Sequence, residues 1–234
     1  MNSKACKRAR GTCGRRPKSA DAAGDTRTAV LRAARSVFAR RGFEGASTRE
    51  VAETAGVNNA MIYYHFKDKN QLYRSVLAHA FAEFDRIWEH PVFDSPKATP
   101  RKKVQAYIEG FIRFQQANDD IRRIMNMEFA SCARHHKWLA DNHFIRGYER
   151  LASLLQDAMR AGELRKVDLS VAVSCLIGMV VHSFTVRSLA ERIIGRQLDL
   201  GVKRFGSFVT ELFFDGLGPR KPRVCRLGQR KDAR

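Results

Sequence analysis

The sequence predicts an all-α protein: an N-terminal three-helix unit with a helix-turn-helix over residues 47–66, joined to a larger helical domain expected to dimerise, about nine helices in all. Three observations predict it. Apolar residues recur at three- and four-residue spacing, and the two-residue alternation of half-buried strands is absent. Ser47 and Glu50 form an S-x-x-E capping box before a short segment that Gly56 closes, and Asn58 then supplies a second cap. The last two segments are apolar on more than one face, as in helices covered on both sides.

The first helix is placed from about Thr26, with Val30, Leu31, Ala34, Val37 and Phe38 on one face and Gly42 at its end. The second carries Val51, Ala52 and Ala55, and the third runs from Asn58 to about Phe66. Asp68 and Gln71 mark the start of the fourth, whose apolar face extends from Leu72 to Trp88 before Pro91 closes it. Pro91, Pro96 and Pro100 define a loop, and Thr99 followed by Pro100 opens a fifth helix ending near Asn118. A sixth covers about 119–131, and a long seventh runs from about Lys137 to Ala161, ended by Gly162. Asp168 caps the eighth, with Val171, Cys175, Leu176 and Phe184, and Asp199 the ninth, with Phe205, Phe208, Leu212 and Phe213. Nothing later in the chain remains to cover these two, so the segments at about 168–190 and 199–215 are expected to face the core on one side and a second subunit on the other. The alternative is a pair of central core helices. The domain organisation expected is a disordered basic tail (1–24), the helix-turn-helix domain (25–68), the regulatory and dimerisation domain (69–217) and a second basic tail (218–234).

The net charge of +19 is concentrated at the ends: residues 1–24 and 218–234 each carry +6. Basic arms of this kind gain free energy by displacing counterions from a polyanion, and nucleic acid is the expected partner; attraction to an acidic membrane surface and a merely solubilising role are the alternatives. The five cysteines (Cys6, Cys13, Cys132, Cys175, Cys225) are odd in number and fit no zinc spacing, as expected for free thiols in a reducing compartment. No apolar run reaches the roughly 18–20 residues of a membrane span, and no apolar stretch follows the basic N-terminus. A cytoplasmic protein is expected.

With about 100° per residue, Ile62 and Phe66 define the inward side of the third helix. Ala60 and Tyr64 then lie farthest from it, Met61, Tyr63 and His65 on the flanks, and Asn58 and Asn59 ahead. This nearly uncharged face suits hydrogen bonds to base edges and phosphates and contact with thymine methyls. The alternatives are packing for Tyr63, cover of apolar surface for Met61 and a helix-end hydrogen bond for His65.

The stretch from residue 26 to 78 resembles the DNA-binding region of the TetR family of bacterial transcriptional regulators. It has the R-G-F turn (Arg41, Gly42, Phe43), the S-T-R-E-V-A opening from Ser47, the A-G-V turn and the Y-Y-H-F-x-x-K run ending at Lys69. The resemblance implies a dimeric regulator, by family habit a repressor, on double-stranded DNA with an inverted-repeat operator. It places Thr48 on phosphate, Arg49 on phosphate or a base, Asn59, Ala60, Met61 and Tyr64 toward bases, and Tyr63, His65 and Lys69 on the backbone. Asn58 and Asn59 depart from the commoner Ser-Lys, which puts the usual lysine contact in doubt.

Family members commonly bind an inducer in the helical domain. Trp88, Phe111, Phe114, Met127 and Phe129, with Trp138, Phe144, Met179 and His182, are candidates to line a cavity for a small, mostly apolar molecule. Asn126, Glu128, His182 and Ser183 are candidate polar handles, and each of the apolar residues has ordinary core packing as its alternative. Cys132, His135, His136, Asp141 and His143 cluster in sequence, but an exposed polar junction is favoured over a metal site there. No G-x-S-x-G, H-E-x-x-H, G-x-G-x-x-G or Walker-type loop occurs, so neither a catalytic site nor a cofactor is expected. A ligand is expected to act by shifting the fourth helix, which joins both parts of the chain.

Overall fold

The computed structural model describes residues 20–130 and 134–217. The basic tails up to residue 19 and from 218 onward, and Cys132, lie outside the described residues. All regular elements among those described are helical. They are α1 (Ala20–Gly45), α2 (Thr48–Ala55), α3 (Asn59–His65), α4 (Lys69–Asp85), α5 (Pro100–Ala117), α6 (Asp119–Ala130), α7 (His136–Leu139), α8 (Ile145–Arg160), α9 (Leu169–Thr185), α10 (Arg187–Ile194) and α11 (Val202–Leu217). A 3₁₀ turn (Arg86–Glu89) follows α4, and a π turn (Ala140–Phe144) separates α7 from α8.

Caps anticipated from single residues are present. The side chains of Ser47, Asn58, Asp68, Thr99 and Asp168 each accept a backbone N–H at the start of α2, α3, α4, α5 and α9. Gly56 ends α2 in the left-handed region, at φ 67°. Gly42, at φ 68°, breaks α1, and a β-carbon there would stand 3.4 Å from the sulfur of Met127, so this turn lies against α6.

Other expectations are corrected. Helix α1 begins at Ala20, ahead of Thr26, in a stretch where Ala20, Ala22 and Ala23 are strong helix formers. The Glu50 carboxylate faces Arg40 (3.6 Å) and Arg41 (3.7 Å) on α1, where two guanidiniums outcompete a neutral N–H for it. The long seventh helix is interrupted by the π turn. The eighth ends at Thr185, where the chain bends by 64° into the separate helix α10. Asp199 accepts from Gly201 N (3.1 Å) ahead of α11, whose first turn closes from Phe205 N onto Gly201 O.

Two apolar cores result. The first joins Val30, Val37 and Phe38 of α1 to Ile62, Phe66, Leu72 and Leu77, and extends to Ile121 and Ile124 of α6 and Leu139 of α7. The second joins Ile108 and Ile112 of α5 to Leu151, Leu155, Leu176, Val209 and Phe213 of α8, α9 and α11. Phe84 and Phe114 pack against both cores, 5.0 Å apart between ring centres. The N-terminal helices are therefore built onto α6, and Arg35 clamps the junction. Its guanidinium forks onto Asp120 (2.5 and 2.7 Å) and reaches Asn118 (2.6 Å). Burial raises the Asp120 carboxyl, but hydrogen bonding and charge from Arg35 more than reverse this and hold it below the usual carboxylate range.

Candidate nucleic-acid interface and ligand cavity

The helix-turn-helix is assembled from a few small or fully buried residues. Ala52 is buried where α2 meets α3, and the Val57 N–H donates to Ala52 O (3.0 Å) to fix the turn after Gly56. Ile62 and Phe66 are buried in the first core, each contributing about 1.5–3 kcal/mol of transfer free energy. That anchoring fixes which side of α3 faces out. Tyr64 is 74% and Tyr63 53% exposed, Ala60 is exposed, and Met61, His65 and Asn59 are half-buried on the flanks. Thr48 Oγ1 and the Tyr63 hydroxyl stand 3.2 Å apart, a hydrogen bond that sets α2 against α3 at the outer surface.

The remaining candidates divide by what holds them. Ser47 and Asn58 are caps, their side-chain oxygens taken by Glu50 N (3.1 Å) and Ala60 N (2.9 Å). Asn59 Oδ1 and His65 Nε2 are shielded and have no intramolecular partner. Arg49 donates to Glu53 (3.1 Å) in an ion pair exposed on both sides, a pairing weak enough to exchange for phosphate. Lys69 behaves differently: its ammonium donates to Phe43 O (2.9 Å) and Ala46 O (3.1 Å) and lies 4.5 Å from the Phe43 ring centre. It closes the end of α1 rather than standing free at the surface. Lys67, which sequence reasoning passed over, is the exposed lysine of this loop. Its signal was its place between the anchor Phe66 and the cap Asp68, a turn with no apolar face to join.

A second feature lies where the two cores meet. Among the described residues, a cavity of about 280 Å³ opens between α4, α5, α6, α8 and α9. Of the expected lining, Phe111, Phe114, Phe129 and Phe144 are present, with Asn126 as a polar member. Five expected residues lie elsewhere. Trp88 packs on Phe93 and Tyr107; Met127 sits by Gly42; Trp138 packs in the first core beside Arg74. Met179 faces a groove between α9 and α11, and His182 is exposed. Helical spacing cannot say which of several apolar faces meet around a void. Sequence reasoning missed Phe81 and Phe84 of α4, Gln115, Arg122, and His143. No local pattern marks Gln115 and Arg122 as inward-facing, since their placing depends on how distant helices converge. His143 stacks on Phe81, and burial, against the charge of Asp85, pushes its pKa down.

Glu128 is no ligand handle but the centre of a buried cluster. It accepts from the Tyr73 hydroxyl (3.0 Å) and the His135 backbone N–H (3.0 Å), with the His135 ring nitrogen 3.2 Å away. Burial, then the charge and hydrogen bond of Glu128, push the Tyr73 phenol up, so that it stays protonated as donor. Ser183 is likewise satisfied, donating to Met179 O (2.7 Å).

Comparison with known proteins agrees with this geometry. Residues 30–76 match the model of the family described as bacterial regulatory proteins, tetR family, which spans the helix-turn-helix and the helices on either side. Over that segment the chain is similar to the DNA-binding region of the tetR family. It is 41% identical over 61 residues to the HTH-type transcriptional repressor NicS of Pseudomonas putida (26% of this chain, 29% of that protein). It is 37% identical over 75 residues to the HTH-type transcriptional repressor BepR of Brucella suis (32% and 36%). The matches therefore span only about a third of these curated relatives. A structure titled as the transcriptional regulator FadR from Bacillus subtilis in complex with stearoyl-CoA superposes with a TM-score of 0.66 at 20% identity, covering 81% of this chain and 98% of that one. At that identity the likeness is one of fold.

Outside the matched segment, the outer faces of α9 and α11 carry exposed apolar side chains. Val171, Phe208 and Leu212 are 60%, 58% and 53% exposed, and Cys175 lies beside them. Leu189 and Ile193 of α10 are exposed as well. Among the described residues no group of three or more metal-binding side chains converges, and His135 is committed to Glu128. Nor is any single described helix long and apolar enough to cross a membrane.

Proposed function

We propose that the chain is a homodimeric, sequence-specific transcriptional repressor of the cytoplasm, released from an inverted-repeat operator by a small, mostly apolar ligand. The observation that carries this is the face of α3. Buried Ile62 and Phe66 hold outward a helix whose exposed side offers tyrosines, an alanine and amide groups, with hardly a charge. Such a surface is poor at gripping phosphates indiscriminately and suited to base edges in a major groove. Ser47, Thr48 and Arg49 at the head of α2, and Lys67 in the following turn, supply phosphate contacts. Repressor is the sign carried by the names of the NicS and BepR relatives.

A dimer is supported by the exposed apolar side chains of α9 and α11, among them Val171, Phe208 and Leu212, since clustered apolar surface of this kind marks an interaction site. Two-fold symmetry then sets two α3 helices in successive major grooves, about 34–36 Å apart. The cavity supports ligand control because α4, which begins three residues after the anchor Phe66, supplies Phe81 and Phe84 to its wall. A ligand that favours one position of α4 shifts the two reading heads by its differential affinity for the two states.

Selecting bound duplexes from a random DNA pool with purified protein tests the reading. An inverted repeat recovered at physiological salt is the expected result. A pool retained without base preference would instead establish a non-specific basic binder acting through its tails.

A further inference from the structure

Two adjoining spaces share a wall. The apolar cavity ends at Gln115 and Arg122, and the same two side chains form the floor of a surface pocket between α5, α6 and α10 that also holds Gln116, Arg123, Arg187 and Ser188. Inside, the walls are aromatic and aliphatic. Outside, they are polar. A molecule reaching from one to the other must itself change from apolar to polar at that wall.

The charge at the wall is specific. Arg122 and Arg123 both bind Asp119, and Arg187 binds Glu191. Three guanidiniums thus meet two carboxylates, leaving one positive charge unbalanced. The Nε–H of Arg122 is buried and has no acceptor, although the group is a donor in every protonation state it takes in a protein. Gln115, 7% exposed, stands beside it with an amide able to donate as well. His143, farther inside, is kept neutral by its burial and adds no second charge.

We infer that the ligand is an amphiphile, an unbranched apolar chain ending in a single carboxylate, with the chain in the cavity and the head on Arg122 and Gln115. A guanidinium edge and a carboxylate match in shape and charge. One unbalanced charge suits a monoanion better than a head bearing several phosphates. The volume, near the low end of the roughly 300–1,000 Å³ usual for small-molecule sites, suits one flexible chain. This rests on the ligand-controlled reading above, of which it specifies the chemistry.

The test is calorimetric titration of the full chain with dodecanoate, dodecanol and lauroyl-coenzyme A, each below its aggregation concentration. Dodecanoate is expected to bind at least about tenfold more tightly than dodecanol, the worth of a charge-assisted hydrogen bond. Arg122→Gln is expected to erase that preference, bringing the ratio of dodecanoate to dodecanol affinity to about one. Arg122→Lys, which keeps the charge, retains part of it and serves should the first variant fail to fold. Equal binding of dodecanoate and dodecanol, an unchanged ratio in Arg122→Gln, or binding of the coenzyme A ester alone overturns the carboxylate assignment but spares ligand control. Absence of binding by all three overturns both.

Discussion

Lys69 separates two accounts of the same lysine. Resemblance puts it on a phosphate; the structure gives its ammonium the carbonyls of Phe43 and Ala46 and the face of the Phe43 ring. In Lys69→Met the stem remains but the charge goes. Hydrogen bonds to a charged group are worth about 1.5–3 kcal/mol and an exposed cation–π contact about 0.5–1 kcal/mol. The site is half-buried, so water recovers part of the loss at the freed carbonyls, and a net destabilisation of about 2 kcal/mol is expected. For a chain of this size that lowers Tm by about 4–8 °C. A phosphate contact predicts something else: unchanged stability, and a slope of log affinity against log salt shallower by about 0.9 per subunit. Thermal unfolding and operator titration at several salt concentrations read both quantities. Undiminished Tm together with a shallower slope would refute the capping role.

Three further outcomes are expected. Tyr64→Ala, at a side chain 74% exposed, should leave the unfolding midpoint unchanged and weaken operator binding by about 1–3 kcal/mol, measured by gel shift against specific and scrambled duplexes. Leu212→Glu sets a charge in the apolar face of α11 and should yield a monomer by sedimentation, with selective DNA binding reduced at least about tenfold. Asp120 has a native pKa below its ordinary 3.8, so the stability it contributes is present above pH 3.8 and disappears as pH falls through the lower native value; denaturant unfolding of Asp120→Asn should therefore show weaker acid dependence than the wild type in that window.

Much of this architecture was legible because its signals are local. A cap such as Asn58 or Asp168 acts on an N–H two or three residues away, and Gly56 ends its helix by its own φ. The outward face of α3 likewise follows from two anchors a turn apart. What escaped depends on partners distant in sequence. Nothing near Lys69 foretells that its ammonium meets carbonyls more than twenty residues back. The π turn at Ala140–Phe144 is hidden by apolar spacing that continues through it, and α10 by a segment whose bend after Thr185 carries no Gly or Pro. The cavity was legible only in part: Phe111 and Phe114 lie on an evident apolar face, whereas the inward placing of Gln115 and Arg122 depends on how α5, α6 and α10 converge.

The claim on which the rest depends is that two α3 helices, held at one separation by α9 and α11, read bases together. Inserting five base pairs, about half a helical turn, between the half-sites of the selected operator moves one of them to the opposite face of the duplex. The account predicts that affinity for this spaced site falls to that for a single half-site, while an insertion of a full turn is tolerated only as far as the dimer can stretch. Equal affinity for the native and half-turn-spaced operators would contradict it.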